Sequence, residues 1–167
     1  TDVNGDTLWT RNFGGSSDDV GVSVEEAVDG GYVVGGSLRS PPSHGSSDFW
    51  VMKITPEGDR VWERALGGSG EEICEQVRRI PNGGYIAVGR AGTKPNVALL
   101  DKEGATVVDI HNITGVDAGA FAVQPAGNDR FTVAGYSRTA TGGDIDSLYV
   151  FQLDSTTRRK EWAKNYG

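Results

Sequence analysis

The chain has 167 residues, the length of one ordinary domain, with 37% hydrophobic residues, a formal net charge of −7 and a single cysteine. The charge excludes the basic face that a nucleic-acid binder presents, and a lone Cys74 excludes both an intrachain disulfide and a cysteine zinc site. No apolar run approaches the roughly 18 residues that cross a bilayer as a helix, and no signal-peptide pattern is visible.

The predicted elements are all strands. An opening segment, Thr1 to Gly14, reads as the last strand of a repeat. Alternation over Gly21 to Val28 predicts the next strand, which turns at Asp29-Gly30-Gly31. Asp-Gly and Gly-Gly pairs supply the positive φ that a tight hairpin needs. Tyr32 to Ser37 is the following strand, and a polar loop covers Arg39 to Ser47. Phe49 to Ile54 is a third strand, and the turn Pro56-Glu57-Gly58-Asp59 leads to a fourth around Val61 to Leu66. The Val, Ile, Tyr, Trp and Phe of these runs suit a pleated, packed surface.

The same order then recurs. Trp9 falls on Trp62, Gly14-Gly15 on Gly67-Gly68, Gly30-Gly31-Tyr32 on Gly83-Gly84-Tyr85 and Gly36 on Gly89, at a constant offset of 53. A third copy follows at an offset of 46, with Val77 on Val123, Tyr85 on Phe131 and Gly89 on Gly135. In that copy Asp129-Arg130 replaces Gly-Gly. The loop between the second and third strands absorbs the length variation, spanning Gly92 to Pro95 in copy two and Thr139 to Asp146 in copy three. Loop closure costs little extra entropy as a loop lengthens, so such variation is tolerated. The tail Glu161 to Gly167 repeats Leu8 to Gly14. Four short strands in a unit of roughly 50 residues match the blade of a β-propeller.

The runs Trp9-x-x-x-Phe13-Gly14-Gly15-Ser16-x-Asp18-Asp19, Asp29-Gly30-Gly31-Tyr32-Val33-Val34-x-Gly36 and Ser47-Asp48-Phe49-Trp50-Val51-x-Lys53-Ile54 carry a resemblance. They are similar to repeats of bacterial and archaeal extracellular proteins, whose fold is a β-propeller. The resemblance covers nearly the whole chain. It implies a blade and an extracellular or cell-surface setting, and it transfers no catalytic residue.

The expected fold is therefore all-β and propeller-like, with three four-stranded blades plus one extra N-terminal edge strand. Residues 1–14 are the last strand of an incomplete blade, 15–66 the first blade, 67–112 the second and 113–167 the third. Three blades are fewer than an ordinary ring holds, and terminal blades need neighbours. The chain opens at Thr1 rather than Met, which fits a processed or excised piece. The expected partners are other copies of the chain or the remaining blades of a longer one, with a glycan or protein ligand, no nucleic acid and no membrane span.

Candidate chemistry is sparse. Asp2-Val3-Asn4-Gly5-Asp6 starts like a calcium loop. The aligned Thr55 to Asp59 and Asp101 to Ala105 keep only the glycine, so a hairpin turn explains all three. Asp18-Asp19, Glu71-Glu72 and Asp117 recur at one blade position. They read as turn caps that accept backbone N–H groups, or as the acids of a propeller-type glycan hydrolase or lyase. His44 and His111 have no companion ligands, Cys74 reads as a small core residue, and three of the four tryptophans share one repeat position. Arg158-Arg159-Lys160 reads as a solvated hairpin tip. Asn112-Ile113-Thr114 is a glycosylation sequon, with Asn112 the acceptor. No catalytic, metal or cofactor residue is assigned. The expected function is a non-enzymatic binding or assembly module, with a surface filament or layer joined by strand addition as its structural alternative.

Overall fold

A computed structural model describes residues 1–81, 83–111, 117–138, 147–154, 156 and 159–167, with the backbone alone for 107–111. Four strands form the first sheet: β1 (Val20–Glu26), β2 (Tyr32–Leu38), β3 (Asp48–Ile54) and β4 (Arg60–Leu66). The second sheet holds β5 (Glu72–Arg79), β6 (Tyr85–Ala91), β7 (Lys94–Leu100) and β8 (Thr106–His111). The third holds β9 (Asp117–Pro125), β10 (Arg130–Arg138), β11 (Ser147–Asp154) and β12 (Arg159–Tyr166). Each sheet is an antiparallel meander in chain order. One sheet falls in each of the ranges 15–66, 67–112 and 113–167.

The three sheets share even their irregularities. The first strand of every sheet carries a β-bulge against the second, at Gly21/Ser23, Cys74/Gln76 and Ala120/Ala122. A bulge brings one carbonyl unusually close to the partner strand. A Cβ at Gly36, Gly89 or Gly135 would lie 1.8–1.9 Å from the carbonyl oxygens of Val20, Ile73 and Gly119. Only glycine fits there, which is why it recurs in all three copies.

Turn chemistry explains the divergence of the third copy. Gly30 and Gly83 take φ of 83° and 89° in the first two hairpins. In the third, Asn128 and Asp129 take φ of 50° and 58° beside Gly127. Asn and Asp tolerate this left-handed region better than other side chains, so the turn survives the loss of Gly-Gly. The predicted loop over Gly92 to Pro95 is shorter in the structure. Lys94 and Pro95 pair with Ala91 and Arg90, leaving the two-residue turn Gly92-Thr93.

The sheets stack face to face in chain order. Val33, Phe49 and Val51 of the first meet Cys74, Val77, Tyr85 and Leu100 of the second. Ile86, Val88, Val97 and Leu99 meet Val123, Phe131, Val133 and Phe151 of the third. The strands β5 and β9 each lie against the first three strands of the preceding sheet. A side chain on each first strand ties the stack: Ser23 Oγ accepts the Val77 N–H at 3.2 Å, and Gln76 Oε1 accepts the Val123 N–H at 2.6 Å. The sheets therefore converge at their first strands and open toward their last.

The expected N-terminal edge strand needs correction. Residues 7–14 join no ladder. They lie across the face of the first sheet, where Trp9 and Phe13 cover Leu38, Trp50, Met52 and Ile54. A strand requires a neighbouring backbone, and this segment meets its sheet through side chains instead.

Candidate functional site

The shared tryptophan position builds the contact between successive sheets. Trp62, on β4, reaches the β7–β8 turn of the second sheet, where its indole N–H donates to the Lys102 carbonyl at 3.3 Å. A Cβ on Gly104 would lie 2.5 Å from the ring, so glycine makes the seat, and its φ of 79° suits the turn. Arg64, two residues on, donates to the Glu103 carbonyl at 3.3 Å.

Trp9 does the same to the first sheet. Its indole donates to the Pro56 carbonyl at 2.8 Å, and a Cβ on Gly58 would lie 2.7 Å from its ring. Arg11 takes the place of Arg64 and pairs with Asp59 at 3.7 Å. The first sheet thus carries on its outer face what a last strand places on the sheet after it. Trp162 has the same repeat position, but it donates to Gln152 of its own sheet at 3.1 Å and stays 38% exposed.

The two end faces expose what internal copies bury. Val24, Val77 and Val123 hold one position beside the second strand. Val24 is 60% exposed, against 0% and 3% for the others. At the opposite end Leu148 is 52% exposed, while its counterpart Phe49 is wholly buried. Phe121, Trp162 and Tyr166 widen that apolar surface.

The recurrent carboxylates are engaged locally. Asp19 accepts the Gly15 N–H at 2.8 Å, the Arg39 and Ser40 N–H groups at 2.8 and 2.9 Å, and the Ser40 hydroxyl at 2.6 Å. Partial desolvation raises its pKa, but these bonds, led by those from Ser40, outweigh it and hold the carboxyl down at about 2. Glu72 is buried and accepts the Gly68 N–H at 3.2 Å. Glu71 pairs with Arg90 at 3.2 Å and Arg39 at 3.7 Å. Asp117 meets Lys94 at 2.7 Å, and that bond leads the lowering of its pKa. Asp18 is exposed.

A folded-state pKa below the unfolded value of 3.8 means that Asp19 contributes fully above that value and loses its contribution as pH falls through about 2. Asp19→Ala is expected to cost roughly 2 kcal/mol at neutral pH, typical of lost hydrogen bonds to a charged group. It should also flatten the acid limb. Urea midpoints across that window measure both, and an unchanged acid limb would refute the assignment.

The Asp2 turn follows the plain reading. Asp2 Oδ1 accepts the N–H groups of Asn4 and Asp6, and Asp101 Oδ1 those of Glu103 and Ala105. Thr55 Oγ1 does this for Glu57 and Asp59. Among the described residues no group of three or more His, Cys, Asp or Glu side chains is placed to hold a metal. Cys74 is fully buried, and burial pushes its thiol pKa up. Asn112 and Arg158 lie outside the described residues, as does the His111 side chain.

Two buried charged residues escaped the sequence reading. Asp48 is wholly buried and binds the backbone N–H of His44 at 3.1 Å and its Nδ1 at 2.8 Å. Lys53, within the apolar run of β3, is also buried. Their signal was a charge at a strand position where alternation leaves no room for one.

No protein-family model matches the chain, and no curated protein matches it. It is similar to a solved structure, a protein of unknown function from Bacteroides caccae determined at 1.35 Å resolution. The two share 12% identity with a TM-score of 0.53, over 95% of this chain and 64% of the other. At that identity the likeness concerns the fold alone, and this chain spans less than two thirds of that protein's length.

Proposed function

We infer that the three sheets are consecutive blades of a β-propeller, and that the chain is a non-enzymatic binding or assembly module of an extracellular or cell-surface protein. Further blades, from other copies or from a longer chain, would cover its two end faces. The observation that carries this reading is the seat of Trp9 on Gly58, which reproduces that of Trp62 on Gly104. A last strand of the same repeat fits that face, which residues 7–14 of this chain occupy through Trp9 and Phe13, so Trp162 of β12 in another copy would take the seat by displacing them. Convergence of the sheets at β1, β5 and β9 supports an arc around a central axis. A hydrolase would draw its acids from Asp18, Asp19, Glu71, Glu72 and Asp117, and turns and ion pairs hold all of these but the exposed Asp18. The setting rests on the sequence resemblance and the acidic balance.

Light scattering on the purified chain tests the assembly reading. Association that grows with concentration and is lost in Trp162→Asp is the expected result. A monodisperse monomer at every concentration overturns assembly between copies.

A further inference from the structure

One position of the repeat changes character between the two internal sheet contacts. Lys53, Leu99 and Gln152 hold the same position, opposite Val33, Ile86 and Thr132 on the second strands. Leu99 does what the position asks, sealing the contact between the second and third sheets beside Phe131. Between the first and second sheets a lysine stands in that place, with its side chain only 9% exposed.

Two further polar groups stand beside it. Tyr85 has a hydroxyl that Phe131 lacks at the next contact, as Tyr32 has in the first copy, and Asp29 stands where the next copies carry Asn82 and Asn128. The three polar groups converge. Lys53 Nζ lies 2.6 Å from Asp29 Oδ2 and beside the Tyr85 hydroxyl. Burying an ammonium is unfavourable, and a leucine at this position is compatible with the fold. Departures from a local packing rule concentrate at functional sites.

A cleft lies beside these three side chains. It has a volume of about 740 Å³, within the usual range for small-molecule sites. Lys53 and Tyr85 line it together with Trp62 and the exposed Val28 and Val61, which are 69% and 52% accessible. Lys102 and Glu103 complete its rim, so two cations and two anions balance. That balance disfavours a charged ligand. An ammonium donor beside a carboxylate acceptor suits adjacent hydroxyls, each of which both donates and accepts. The valines and the indole suit the C–H face of a ring.

We propose that the cleft between the first and second sheets binds a neutral pyranose sugar, with Lys53 and Asp29 holding its hydroxyls. The cleft lies within one chain, so its occupation does not depend on what covers the end faces.

The test is an amide chemical-shift titration of the full chain with methyl glucoside, methyl galactoside, methyl mannoside and chitobiose. At least one sugar is expected to give saturable shifts at Asp29, Gly83, Lys102 and the Trp62 indole. Lys53→Met should weaken that binding about tenfold or more, the loss typical of a hydrogen bond from a charged donor. Trp162→Asp should leave it unchanged. If Lys53→Met does not fold, Asp29→Asn, at a side chain 62% exposed, supplies the same comparison. No saturable shift with any of the four sugars, or equal affinity in the folded variant, overturns the proposal.

Discussion

Gly89→Ala is expected to destabilise the protein by roughly 3 kcal/mol, the upper end of overpacking in a close-packed core. In a protein of this size that lowers the thermal midpoint by roughly 6–12 °C. The added methyl would stand 1.9 Å from the Ile73 carbonyl oxygen and 3.0 Å from the Phe49 ring. Neither neighbour can yield at low cost. The carbonyl belongs to the bulge that sets the register of β5 against β6, and Phe49 is wholly buried. Gly68→Ala is the control, because nothing lies within 4 Å of its Cβ position. It should fall within about 0.5 kcal/mol of the parent, as surface changes usually do. Equal midpoints for the two variants would refute the close-approach account of the repeated glycine.

That glycine marks how far the sequence could be read. Its recurrence at 36, 89 and 135 was visible, but its cause is a carbonyl on the partner strand, which only the bulge brings near. The strands themselves were legible from alternation and turn residues, because the inner strands carry apolar side chains into the contacts between sheets. The tryptophan position was legible as packing, whereas its seat on Gly58 and Gly104 was not, since those glycines read equally well as turn residues. Leu8 to Gly14 repeat Glu161 to Gly167, and that likeness alone predicts a strand. Similarity of side chains does not supply the neighbouring backbone that a ladder requires. Lys53 was hidden for a related reason. One line of sequence shows a lysine in a strand, and only the stacked sheets show that Tyr85 and Asp29 meet it.

The stack also predicts how the protein comes apart. Phe49→Ala is expected to cost about 3–5 kcal/mol, the range for deleting a buried aromatic ring. The ring fills the space over Gly89, at the contact between the first and second sheets. Its counterparts are Pro95 and the exposed Leu148, so neither of the other sheets has a plug of that size at this position. Stability in stacked repeats is close to a sum of unit and neighbour terms, and damage to one contact stays largely local. Amide exchange should therefore accelerate through β1 to β4 first, while β9 to β12 keep their protection behind the intact contact of Val97 and Leu99 with Val133 and Phe151. Leu148→Ala, on the open face, should change neither. An equal loss of protection in all three sheets would mean that they unfold as one unit, and that the neighbour-by-neighbour description of this chain fails.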